Sequence, residues 1–200
     1  KLNFLNPKID WYKLLEYQLC NTNFETDQLT AKSDGEYWKL SLNANRFQRI
    51  TDSVSAVFKF NGQYTDKNLD GAEQISLGGP TAVRAYPSNE AAGDQGFVTS
   101  LEFTKLFTKN KKLTFFYDYG KIQLHKQAWS NWNSTNTSLK NNYDLHGLGF
   151  SFSIPIYKNF ALSATYAEKL GNNPGKDSSG NDVDGLTWEN RSLISIVGQF

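Results

Sequence analysis

Apolar residues recur at every second position through most of the chain. Val54, Ala56, Phe58, Phe60, Gly62 and Tyr64 alternate with Ser53, Ser55, Val57, Lys59, Asn61 and Gln63, the signature of a strand with one apolar and one mostly polar face. The preceding stretch repeats it, with Trp38, Leu40, Leu42 and Ala44 against Lys39, Ser41, Asn43 and Asn45. Phe97, Leu101 and Phe103 oppose Ser100, Glu102 and Thr104. Leu113, Phe115, Tyr117 and Tyr119 oppose Thr114, Phe116, Asp118 and Gly120. Leu148, Phe150, Phe152 and Ile154 oppose Gly147, Gly149, Ser151 and Ser153, and Phe160, Leu162, Ala164 and Tyr166 oppose Ala161, Ser163, Thr165 and Ala167. An earlier candidate runs from Trp11 to Leu19. The last, Arg191 to Phe200, is less clean. The pattern predicts about eight strands of roughly 9 to 13 residues, with little helix. Ordinary strands average about 5 to 6 residues, whereas a tilted membrane crossing takes about 9 to 11.

The connections give an independent signal. Those at Phe47–Ser53, Phe107–Lys112 and Ile154–Asn159 are short; those at Asn21–Glu36, Asp66–Gly96, Ile122–Tyr143 and Glu168–Asn190 are long. The two kinds alternate strictly, as in a bilayer meander with short periplasmic turns and long external loops. The short turns carry Arg49, Lys111, Lys112 and Lys158, and this orientation puts Phe200 on the periplasmic side. The competing reading is a soluble β-sandwich or lipocalin-like barrel, in which the apolar parity faces inward. Eight strands either close on themselves or form the second part of a larger barrel, because an open sheet edge is untenable in lipid. The chain opens on Lys1 within polar sequence, so export implies a removed leader or upstream sequence.

Composition narrows the classes. The 200 residues carry 21 Lys+Arg and 20 Asp+Glu, a formal charge of +1, which offers no surface for nucleic acid. A single Cys excludes an internal disulfide framework and a cysteine-rich zinc site, and only His125 and His146 are available as imidazole ligands. No run of about 18 apolar residues makes a transmembrane helix. Aromatic residues reach 14%, consistent with a barrel whose lipid face uses only alternate positions.

The longest connection reads Ile75-Ser-Leu-Gly-Gly-Pro-Thr-Ala-Val-Arg84-Ala-Tyr-Pro87, followed by Gly93-Asp94-Gln95-Gly96-Phe97. Gly78 and Gly79 permit positive φ. Pro80 and Pro87 stiffen the chain on either side of Val83-Arg84-Ala85-Tyr86. A solvated external loop has little use for that combination; a loop folded back into a lumen does. The order and spacing of these motifs resemble the carboxy-terminal part of a two-partner secretion transporter of the Omp85 superfamily. Gln74 to Gly79, the Val83–Pro87 segment and Gly93, Asp94 and Gly96 match its long sixth extracellular loop. Glu102 follows in the next strand, and Phe116, Asp118 and Gly120 match an aromatic–Asp–Gly barrel-wall motif. Phe200 resembles the C-terminal signal read by the outer-membrane assembly machinery. The superfamily's commonest loop core has Gly where Ala85 stands, and an Ala there argues against strongly positive φ.

The resemblance implies a Gram-negative outer-membrane protein with a sixteen-stranded barrel, of which this all-β chain supplies the last eight antiparallel strands as residues 1–200. Residues 66–96 form the lumen-folded loop. Two POTRA domains and a plug helix lie upstream. Arg84 is expected to pair with Asp118 and lock the loop inside the lumen. Lys39, Asn43, Lys59, Asn61 and Gln63 are expected to line a hydrated wall. The implied function is export of a large partner exoprotein of haemolysin, adhesin or contact-dependent toxin type, without nucleotide, enzymatic activity, cofactor or metal. The expected partners are that exoprotein, the assembly machinery, membrane lipid and lipopolysaccharide, around a monomer. The rivals are an Omp85-type assembly factor and a passive diffusion porin.

Other residues attract blander readings. Trp11, Tyr12, Tyr37, Trp38, Tyr143 and Trp188 are expected as interfacial girdle residues, and His146 as an interfacial ring. Tyr86 is expected to pack rather than to touch substrate. Trp129 and Trp132 are candidates for contact with a neighbouring loop or with secreted protein. Asp182 and Asp184 are expected to be solvated, in a mobile Gly171–Gly185 segment.

Overall fold

The computed structural model describes residues 14–22, 31, 33, 35–157 and 159–198, with the backbone alone at 14–22 and 35. The expectations for Trp11, Tyr12, Lys158 and Phe200 lie outside the described residues.

Among the described residues ten strands run in chain order: β1 (Leu14–Thr22), β2 (Gly35–Arg49), β3 (Val54–Thr65), β4 (Ile75–Ser76), β5 (Ala92–Gly93), β6 (Gln95–Leu106), β7 (Lys112–Gln123), β8 (Asn142–Tyr157), β9 (Phe160–Lys169) and β10 (Asn190–Gly198). Eight form one antiparallel meander in the order β1-β2-β3-β6-β7-β8-β9-β10, and β4 pairs with β5 in a separate two-stranded ladder inside the longest connection. The strands of 15 and 16 residues, β2 and β8, exceed the expected lengths. The register slips at Pro155–Tyr157, where proline removes a ladder donor.

Register keeps the two parities on opposite faces across the whole sheet. One inner row runs Asn45, Lys59, Ser100, Asp118, Gly147 and Lys169 from β2 to β9. The next runs Val57, Glu102, Phe116, Gly149, Ala167 and Arg191 from β3 to β10. On the other face Phe58, Leu101, Phe103, Phe115, Tyr117, Leu148, Phe150 and Phe152 are all exposed. An apolar band this large would be an aggregation surface in water and is solvated in lipid. The buried core lies on the opposite side, between the polar-parity face and the long connection. Leu77, Val83, Ala85 and Tyr86 pack there with Val98, Phe116, Ile122, Leu145 and Ala167. The soluble alternative, with the apolar parity turned in, is the reverse of this arrangement.

Two girdle expectations are overturned. Tyr37 and Tyr143 are buried on the inner face, because both fall on the parity opposite the aromatic band. Trp188 is exposed. The segment between β9 and β10 lacks regular secondary structure yet is held in place: Asp182 is buried, not solvated, and its carboxylate pairs with Lys169 and Arg191. Sequence distance hid these partners, since both cations belong to strands flanking the loop.

Candidate functional site: the inward loop and its arginine

The loop between β3 and β6 turns back over the inner face because its backbone closes on itself. Val83 N–H donates to the Leu77 carbonyl at 2.8 Å and Ala82 N–H to Gly79 at 3.1 Å. Gly79 takes φ +124°, open only to glycine at low cost. A Cβ on Gly78 would stand 2.1 Å from the Pro87 carbonyl oxygen, so only glycine fits. Tyr86 N–H donates to the Val83 carbonyl at 3.1 Å, which folds Arg84 and Ala85 into a tight turn at the tip. Among the described residues, non-glycine positive φ occurs at Asn89, Ala91, Lys109, Asn110 and Asn131. Ala85 is outside that set, which explains why alanine is accommodated there.

The tip seats on bare backbone. A Cβ on Gly120 would meet Leu77 at 3.0 Å and Val83 at 3.1 Å, and one on Gly147 would meet the Ala85 methyl at 2.8 Å. Two glycines on adjacent strands thus form the floor on which Val83 and Ala85 rest.

Arg84 then spans the two inner rows. Its Nε and a terminal nitrogen donate to the two Asp118 oxygens at 2.9 and 2.7 Å, and its backbone N–H adds a third bond at 3.1 Å. The second nitrogen also donates to Ser100 Oγ at 2.8 Å. The remaining nitrogen meets Glu102 at 2.9 Å. Glu102 in turn accepts from Lys59 at 2.9 Å. The guanidinium carbon lies 3.4 Å from the Phe116 ring centroid, a stacked cation–π contact that a planar fork can make while hydrogen-bonding edgewise. Phe116 is held by Gly149, where a Cβ would stand 2.6 Å from the ring. The charges alternate, Lys59, Glu102, Arg84, Asp118, and sum to zero. Asp118 is fully buried. In so confined a site desolvation offsets much of the attraction, so the network fixes position more than it adds stability.

The roots of the loop are tied to both neighbouring long connections. Asp94, fully buried, accepts from Leu69 N–H at 3.1 Å, Gln74 Nε2 at 2.9 Å and Lys126 N–H at 2.7 Å. Burial raises its carboxyl above the ordinary carboxylate range, although these donors pull the other way. Asn68 exchanges two bonds with the Gln127 backbone, at 2.8 and 2.6 Å. Gly93 and Gly96 approach the β7 backbone too closely for a side chain.

The five wall residues divide. Gln63 donates to the Glu73 and Asp94 carbonyls at 2.9 and 3.0 Å, and Lys39 pairs with Glu73, so both hold the loop. Lys59 belongs to the arginine network. Asn43 and Asn61 line a cleft of about 430 Å³ between β2–β3 and the loop tip. A second cleft of about 560 Å³, lined by Ser151, Ser163, Thr165 and Ser195, flanks the tip on the β8–β10 side. Tyr86 is buried in the core. Trp132 packs against that core, and Trp129 and Trp132 flank His125. His146 bonds Tyr117 Oη and Asp144 on the outer face. Among the described residues no group of three His, Cys, Asp or Glu could hold a metal.

Sequence reasoning missed Ser100, Gly147 and Gly149 beside the arginine. Their parity marked them as inward, but only cross-strand register places them in adjoining rows.

A polar-lined antiparallel sheet with an aromatic outer band and an arginine-tipped loop folded against its inner face fits the wall of an outer-membrane β-barrel. Residues 3–139 match the family described as haemolysin secretion/activation protein ShlB/FhaC/HecB, and the chain belongs to that family. It is 31% identical over 130 residues to the heme/hemopexin transporter protein HuxB of Haemophilus influenzae strain 86-028NP, covering 63% of this chain and 22% of that protein. It is 29% identical over 162 residues to HuxB of strain KW20, covering 78% and 28%. It is 32% identical over 72 residues to the outer membrane transporter CdiB of Dickeya dadantii strain 3937, covering 36% and 13%. The chain therefore spans between 13% and 28% of the length of these relatives. No solved structure matches the chain at a comparable level of significance. The family is one of the Gram-negative outer membrane, and this chain is part of such a protein.

Proposed function

We propose that the chain is the C-terminal half of a sixteen-stranded barrel that exports one large partner exoprotein, of haemolysin, adhesin or contact-dependent toxin type, from periplasm to cell surface without nucleotide hydrolysis. Residues 66–96 are the lumen loop of that barrel, and POTRA domains and a plug helix stand upstream in the full-length protein. The outer-membrane assembly machinery inserts it, and it works as a monomer surrounded by lipid and lipopolysaccharide. The observation that carries this reading is the seat of Arg84: a bidentate bond to a buried Asp118, reinforced by Glu102, Ser100 and Phe116. A passive diffusion porin needs no such fastening. We assign the pair the role of locking the loop in a conduction-competent position. The wall beside it, Asn43 and Asn61 on one flank and serines on the other, suits an unfolded polypeptide, because neutral amides and hydroxyls exchange hydrogen bonds without holding tightly. Transport then draws on folding of the partner outside.

The test is a secretion assay on the intact gene product with its neighbouring exoprotein, comparing wild type and R84A at matched membrane levels. Loss of surface export in R84A supports the reading. Unchanged export removes Arg84 from the mechanism, and absence of wild-type export for any partner transfers the reading to an assembly factor or porin.

A further inference from the structure

Glu90 lies at the root of the inward loop and has no part in the arginine network. It is buried, 2% exposed, on a segment that the sheet does not hold. Its backbone carbonyl accepts from three donors: Leu77 N–H at 3.1 Å, Gly78 N–H at 3.0 Å and Ser76 Oγ at 3.1 Å. Those bonds fasten Glu90 to the strand of the loop that leads into Gly78 and the tip. The residues on either side, Asn89 and Ala91, take φ of +65° and +56°. Two departures into the left-handed region flanking one residue persist only where the surroundings over-determine them.

The side chain shows what over-determines them. Glu90 accepts from Asn173 Nδ2 at 2.9 Å and from Val183 N–H at 2.9 Å, across 83 and 93 positions of sequence. The same Asn173 nitrogen donates to Asp182 at 3.0 Å, so one amide bridges two carboxylates. Asp182 pairs with Lys169 at the end of β9 and with Arg191 in β10. Asn173, Asp182 and Lys169 are each no more than 6% exposed. A bridged, buried cluster therefore runs from the wall of β9–β10 through the 170–189 connection to Glu90, and from the Glu90 carbonyl into the loop that carries Arg84.

We propose that Glu90 is a positioning residue, the joint through which the 170–189 connection sets the place of the Arg84 tip. This deepens the transport reading and rests on it only for its consequence in export. The connection is a surface element, with Val183 and Trp188 exposed. A polypeptide emerging beside it would act on the tip by straining this joint, because the joint leaves the two loops no independent movement.

The test uses the full-length transporter in bilayers, on a background without native cysteines, with spin labels at Thr81 on the loop and Asn61 on the wall. Wild type should give one narrow distance distribution. E90A and N173A should broaden or displace it and lower export several-fold, at unchanged membrane level and heat-modifiability. N173A leaves Glu90 and its bond from Val183 N–H in place and removes the amide that ties Glu90 to Asp182 and the β9–β10 cations, so it decides on that bridged cluster alone if E90A does not assemble. An unchanged distribution in assembled N173A overturns the joint. A displaced tip with undiminished export keeps the joint and instead removes the role of the loop in transport.

Discussion

Arg84 holds Asp118 with three hydrogen bonds, and one of them comes from its own backbone N–H. The pairing therefore has a side-chain part and a main-chain part, and variants separate them. R84A keeps the main-chain bond but leaves a fully buried carboxylate with its charge uncompensated. D118A removes all three bonds and strands the guanidinium beside Glu102. Breaking one side of a buried pair costs about 3–5 kcal/mol, enough to dislodge a loop without preventing strand pairing. Both variants should reach the membrane, with export reduced tenfold or more at matched levels. R84K should fall between them and wild type, since an ammonium cannot engage both Asp118 oxygens, Ser100 and Glu102 together. Equal export by R84K and wild type would show that charge alone suffices.

The glycine floor predicts a specific suppressor. A methyl on Gly147 meets the Ala85 methyl at 2.8 Å, and overpacking of this kind costs about 1–3 kcal/mol. G147A should loosen the tip, seen as faster proteolysis of the 66–96 loop in assembled barrels. A85G removes the opposing methyl, so the A85G/G147A pair should recover most of the protection. G120A, which meets Leu77 and Val83 instead, should not be rescued by A85G.

Asp94 clamps the root. D94A would orphan Leu69 N–H and Lys126 N–H, at about 1–3 kcal/mol for each buried donor left unmade. Hydrogen exchange at the amides of Leu69 and Lys126 should accelerate by tenfold or more. The Arg84 amide, bonded to Asp118 on the wall, should change far less. Equal acceleration at all three positions would show that the loop opens as one unit.

The strands, the meander and the inner parity of Asp118 and Glu102 were legible in the sequence, because a strict period of two is a local property. The girdle was legible only in part: Tyr37 and Tyr143 carry the right side chain at a strand end but the wrong parity. The buried charges escaped for another reason. Nothing near Asp182 in sequence suggests a partner, and its cations, Lys169 and Arg191, meet it only once β9 and β10 are paired. Glu90 and Asn173 are joined across the same fold. Composition made 171–185 read as a solvated loop, and tertiary burial overrode it. The glycines illustrate the same limit: Gly120 stood out within a motif, whereas Gly147 and Gly149 became meaningful only when the register set them opposite Asp118 and Phe116.

His125 makes the 124–141 segment sensitive to pH. Its ring lies between Trp129 and Trp132, at centroid distances of 4.5 and 5.2 Å. Burial holds the imidazole below its ordinary value, with the nearby Asp94 carboxylate opposing. The folded segment thus prefers neutral His125, while the unfolded segment takes up a proton near the ordinary imidazole value of about 6.5. The stability contributed is complete above that value and is lost as pH falls through it towards the lower folded value. Acidification from about pH 7.5 to about pH 5.5 brackets the ordinary value and should increase hydrogen exchange across 124–141 several-fold, after correction for the intrinsic rate. H125F keeps an aromatic ring between the tryptophans and the main-chain bond from residue 125 to Asn141, so it should remove the pH response and leave the neutral-pH protection. A pH response of equal size in H125F would assign it to another group, with Asp94, whose carboxyl is raised by burial, contributing in the opposite direction: its share of the stability grows as pH falls and is lost as pH rises.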